Sequence, residues 1–77
     1  MGGKRLPAVR PREVIRALER NGFVIRRQTG SHVQLYHRTD PKRFVTVPYH
    51  NKDLNIKTLR SIIARAGWTI EEFLEVL

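Results

Sequence analysis

Residues 23–38, Phe-Val-Ile-Arg-Arg-Gln-Thr-Gly-Ser-His-Val-Gln-Leu-Tyr-His-Arg, decide how this chain folds. Phe23 to Arg27 reads as a strand, Gln28-Thr29-Gly30 as a turn, and Ser31 to Arg38 as a second strand. The connection is too short for a parallel pair, which needs a crossover of about a dozen residues or more, so the two strands are antiparallel. Side-chain alternation then sorts the second strand. Val33, Leu35 and His37 share one face, while His32, Gln34, Tyr36 and Arg38 share the other. One side of the hairpin therefore needs covering, and His32 points away from it.

Outward from the hairpin, Asp40-Pro41 marks a turn, and Phe44-Val45-Thr46-Val47 reads as a third strand that stops at Pro48. On the N-terminal side, Pro11 suits the first turn of a helix, where its missing N–H is not needed. Val14, Ile15 and Leu18 follow at helical spacing, Arg12, Arg16, Glu19 and Arg20 lie off that stripe, and Asn21-Gly22 supplies a stop. On the C-terminal side, a loop from Tyr49 to about Asn55 leads into a helix with Ile56, Leu59, Ile62, Ile63 and Ala66 on one stripe, ended by Gly67. Thr69-Ile70-Glu71-Glu72 matches a capping box and opens a short closing helix through Phe73, Leu74 and Leu77. The expected class is α+β: a helix, a three-stranded antiparallel sheet, a helix and a short C-terminal helix. The helices would cover one face of the sheet and leave the other open to a ligand. Residues 1–10 read as a basic lead-in with some mobility expected, and residues 11–77 as a single domain.

Composition narrows the possible functions. A chain of 77 residues buries only about 60% of its unfolded surface, which leaves no deep cleft for a large cofactor, and none is expected. It has no cysteine, which removes disulfides, thiolate metal sites and thiol nucleophiles and suits a reducing cytoplasm. The longest apolar runs, Phe23-Val24-Ile25 and Ile62-Ile63-Ala64, fall far short of the roughly 20 residues that span a bilayer. No signal-peptide stretch is evident, so a soluble cytoplasmic protein without a membrane partner is expected. The formal net charge of +8 is unevenly placed: residues 1–43 hold 11 basic and 3 acidic side chains, and residues 44–77 hold 4 of each. Such an excess makes one part of the surface attractive to phosphates, although solubility alone also accounts for a charge of this size.

The histidines are the natural candidates for chemistry, because imidazole exchanges protons near neutral pH. No metal site is expected: His32 and His37 point to opposite faces of one strand, and neither cysteine nor clustered carboxylates complete a ligand set. Glu71, Glu72 and Glu75 gather only on the closing helix, where capping explains them. His32 follows Gly30 and Ser31, a residue that permits close backbone approach and a hydroxyl donor for an anion. His50 follows Pro48-Tyr49, and in an antiparallel meander that end of the third strand lies near the start of the second. Two histidines can then flank one phosphate, while the plain alternative for each is an ordinary exposed side chain. His37, facing inward, reads as structural. RNA supplies its own nucleophile, the 2′-OH, so a histidine base with cationic support can cleave it without metal, whereas DNA lacks that hydroxyl.

Four motifs, in order, carry a resemblance. Gly22-Phe23 closes the first helix, Gly30-Ser31-His32 opens a strand, Val47-Pro48-Tyr49-His50 ends another, and Thr58-Leu59-Arg60-Ser61-Ile62-Ile63-Ala64-Arg65-Ala66-Gly67 lies in the late helix. Together they resemble the HicA (YcfA-like) toxin family over about residues 11–74. The resemblance implies a double-stranded-RNA-binding-like fold and the toxin of a type II toxin-antitoxin system, an mRNA endonuclease held inactive by a cognate HicB antitoxin. It implies His32 as the catalytic histidine, with Gly30 and Ser31 matching the residues before it and His50 matching the second motif histidine. Lys57 is a departure, since many relatives have glycine immediately before the Thr-Leu of the late helix.

The leading expectation is a metal-independent endoribonuclease with His32 as general base and His50 as acid or phosphate ligand. Arg26, Arg27, Arg38 and Lys57 are candidate phosphate contacts, chosen by position and charge; a solvated basic face is their alternative. Two rivals use the same surface: a noncatalytic RNA-binding module, and a regulatory domain docking an acidic protein.

Overall fold

The computed structural model describes residues 5–77. In chain order it contains α1 (Pro11–Arg20), β1 (Phe23–Thr29), β2 (His32–His37), β3 (Phe44–Pro48), α2 (Ile56–Arg65) and α3 (Ile70–Val76). The sheet order is β1-β2-β3, both pairings antiparallel, as the short connections require. Val14, Ile15 and Leu18 of α1, Leu59, Ile62 and Ile63 of α2, and Phe23, Val33, Leu35, Val45 and Val47 of the sheet share one buried cluster. Both long helices therefore cover the same face, and α3 adds Phe73, with no exposed surface, to that core. No helix among the described residues is long and apolar enough to cross a membrane.

The turn between β1 and β2 is tighter than the expected Gln28-Thr29-Gly30. Thr29 pairs with His32, leaving only Gly30 and Ser31 as loop residues. Gly30 has φ +32°, and among the described residues only glycines adopt a positive φ. Glycine at the first loop position gives a turn whose twist matches that of the flanking strands, so both strands run on to the turn. The third strand likewise includes Pro48 instead of stopping before it. Tyr49 N–H donates to the Ser31 carbonyl at 2.7 Å and His37 N–H to the Arg43 carbonyl at 3.0 Å. Alternation then turns the backbone of residues 44, 46 and 48 toward the free edge, where the missing N–H of Pro48 breaks no ladder bond.

The segment before α1 and the loop before α2 meet. Val9 and Leu54 are buried, and Leu54 N–H donates to the Val9 carbonyl at 2.8 Å. Residues 1–4 of the expected lead-in lie outside the described residues. Ile56, placed on the apolar stripe of α2 by its spacing, is 43% exposed; that helix meets the core only from Leu59, one turn later. Arg43 is a staple: its Nε donates to the Ala66 carbonyl at 2.7 Å, and its guanidinium lies 5.3 Å from the Phe23 ring centroid.

Candidate functional site

Antiparallel pairing gathers the nominated histidine motifs at one end of the sheet. His32 opens the central strand and lies opposite Thr29 on one side and Pro48 on the other. It is exposed on the face without helices, because Val33 and Leu35 take the inward places. Ser31 Oγ lies 3.2 Å from His32 Nδ1. A Cβ built on Gly30 would meet no atom within 4 Å, so the surface above the turn is open to a ligand, and glycine is required there by φ alone.

His50 comes two residues after Pro48, the partner of His32, and the Tyr49 to Ser31 backbone bond ties its loop to the hairpin turn. Lys52 N–H donates to His50 Nδ1 at 3.2 Å. A backbone N–H can only donate, so Nδ1 is the acceptor and the proton of the neutral ring resides on Nε2. His50 therefore presents an N–H donor. The Ser31 hydroxyl can accept from or donate to His32 Nδ1; in the tautomer that carries Nδ1–H, Nε2 presents a free lone pair.

A β-bulge carries both strand arginines to the same face as His32. The pairing slips between Ile25, opposite Leu35, and Arg27, opposite Gln34. Regular alternation would place Arg26 and Arg27 on opposite faces; the extra residue turns Arg27 outward as well. The Arg26 guanidinium lies 6.0 Å from the ring centroid of Phe44, an outward-facing residue.

Arg38 is not brought to His32. Arg38 follows the other end of β2, where its N–H donates to the Gly22 carbonyl at 2.9 Å. That end lies about 20 Å along the strand from His32. Lys57 lines a hollow of about 570 Å³ between β3 and α2 with Phe44, Thr46, Ser61 and Arg65. His37 packs edge-on against Phe23, ring centroids 5.1 Å apart, and its Nδ1 accepts the Thr39 N–H at 3.2 Å, in keeping with its inward position.

Two basic residues that sequence reasoning did not nominate stand beside His50. Arg10 and Arg12 line a hollow of about 400 Å³ with Glu13, Tyr49, His50 and Asn51. The signal was available: α1 ends at the Asn21-Gly22 stop where β1 begins, so an antiparallel α1 starts near the far end of β1, beside the Gly30-Ser31 turn. Glu13 keeps its negative charge beside Arg10 and Arg12 while accepting the Arg10 backbone N–H at 2.9 Å, and the Arg10 guanidinium lies 3.9 Å from the Asp53 carboxylate.

Residues 11–68 match the family model described as the HicA toxin of bacterial toxin-antitoxin systems. No curated protein matches the chain.

Proposed function

The chain belongs to the HicA toxin family of bacterial toxin-antitoxin systems, and on that premise we propose that it is a metal-independent endoribonuclease that cleaves mRNA with His32 as general base. The family implies an antitoxin partner; the partner proposed is an acidic, HicB-like protein that covers His32, and the compartment is the cytoplasm, where mRNA is met.

One observation carries this reading: an exposed histidine at the glycine turn, its Nδ1 within 3.2 Å of a hydroxyl, beside a loop that presents a second imidazole. His32 Nε2 takes the proton of a ribose 2′-OH, and the freed oxygen attacks the adjacent phosphorus. The P–O5′ bond breaks as the O2′–P bond forms, leaving a 2′,3′-cyclic phosphate and a 5′-hydroxyl. His50 Nε2–H holds a phosphate oxygen, and the leaving O5′ takes its proton from solvent water while His32 returns the proton it took to solvent. Arg27 on the open face, and Arg10 and Arg12 beside His50, supply the positive charge that the phosphorane-like transition state needs.

Purified protein is expected to cut single-stranded mRNA in EDTA, and His32→Ala to lower the rate by about 10²-fold or more with unchanged circular dichroism. Undiminished cleavage by the folded variant would overturn the assignment. RNA that stays intact with the natural protein, yet binds in a salt-dependent way, would favour the noncatalytic module.

A further inference from the structure

The open face of the sheet carries a feature that the proposed chemistry at His32 does not use. Tyr36 and Phe44 stand opposite each other on β2 and β3. In the alternation fixed by the ladder bonds at residues 37/43 and 31/49, they form a non-hydrogen-bonded pair, the kind whose side chains approach most closely. Both are half-buried and point away from the core. With Arg26 and Pro41 they line a hollow of about 290 Å³, and the Arg26 guanidinium lies 6.0 Å from the Phe44 ring centroid.

The chemistry of this hollow is selective. Two aromatic rings offer flat π faces, a planar cation lies beside them, and β1, β2 and β3 contain no Asp or Glu. An unpaired nucleobase matches each part: its face stacks on a ring, and its own phosphate meets the guanidinium. A paired base does not, because both its faces are already stacked within the duplex.

We propose that Tyr36, Phe44 and Arg26 form a subsite for an unpaired nucleobase of single-stranded RNA. The proposal rests on the reading of this face as RNA-cleaving and adds to it how the substrate is held. Tyr36 lies four residues from His32 on the same face, about 13 Å along the strand. A base seated at Tyr36 therefore lies a few nucleotides from the phosphate at His32 and fixes the distance between the recognised base and the cut.

The test uses the full chain carrying His32→Ala, so that no RNA is consumed. Fluorescence anisotropy compares a short labelled single-stranded RNA, the same strand with abasic sites that keep every phosphate, and a duplex. The intact strand is expected to bind roughly tenfold or more tightly than the abasic strand, with the duplex also weaker. Tyr36→Ala and Phe44→Ala, added to that chain, should each remove most of the difference, and Tyr36→Phe should retain it. Equal affinity for intact and abasic strands overturns the subsite, as does tighter binding of the duplex. The abasic comparison needs no aromatic variant, so it decides the matter even where Phe44→Ala fails to fold. A pair that only stabilises the sheet would lower the melting temperature of Tyr36→Ala without making binding depend on the base. The two readings fail separately: base-dependent binding by a natural protein that leaves RNA intact removes catalysis and keeps the subsite, whereas cleavage without base dependence removes the subsite alone.

Discussion

At the residue scale, much of the site depends on where imidazoles are held and by what. His32 and His37 lie five positions apart on one strand and have opposite surroundings. One is exposed beside a hydroxyl, and the other is wedged between Phe23 and Gly22, where a built Cβ would come within 2.9 Å of His37 Nε2. Gly22 also has φ +91°, a backbone region that costs an L side chain about 1–2 kcal/mol. Gly22→Ala is thus expected to lower stability by at least that much in urea unfolding, because it combines the backbone penalty with displacement of His37. The double variant with His37→Ala should recover the steric part and leave the backbone part; equal losses in the single and double variants would show that the contact is unimportant. The inward place of His37 and the outward place of His32 were legible from alternation alone. The tautomer of His50 was not, because it depends on a backbone N–H from Lys52 that only the folded loop positions.

Among the elements, the bulge in β1 has the largest consequence for the proposed site. It turns a two-residue basic run, which regular alternation would divide between core and solvent, into two outward charges on the face that carries His32. Deleting Arg26 removes the extra residue, so Arg27 takes the single outward place and the hairpin keeps its two-residue turn. The deletion is expected to retain the fold and to weaken single-stranded RNA binding as Arg26→Ala does. Each should reduce the slope of log affinity against log salt by about 0.7, the value for one lost phosphate contact on a single strand. An unchanged slope in both would return these arginines to the solvated basic face. The strands, the helices and the capping box at Thr69, whose Oγ accepts the Glu72 N–H at 3.1 Å, were legible from spacing. The bulge was not, since Phe23 to Thr29 has no glycine or proline to mark it, and the pairing with β2 alone reveals the slip.

For the whole molecule, the short C-terminal helix is a structural necessity, although it lies beyond the residues that match the family. Phe73 is fully buried, Trp68 packs between it and Phe23 with ring centroids 6.1 and 5.9 Å away, and Arg20 donates to the Val76 carbonyl at 3.0 Å. Phe73→Ala is expected to cost about 3–5 kcal/mol, a large share of the 5–15 kcal/mol that stabilises a typical domain. A substantial fall in melting temperature checks this, and a shift of only a degree or two would show that α3 is dispensable. The charge of +8 also takes on a location. Arg26 and Arg27 line the open face, Arg10 and Arg12 flank His50, and Arg43 is spent inside the fold on α2 and Phe23. By itself the sequence determined the elements, the antiparallel order and the outward direction of His32, because periodicity and short connections are local properties of the chain. Only the tertiary structure decided that both arginines of β1 share that face and that Tyr36 meets Phe44. Those placements depend on strand register and on which ends of separate elements coincide, and no single stretch of sequence encodes either.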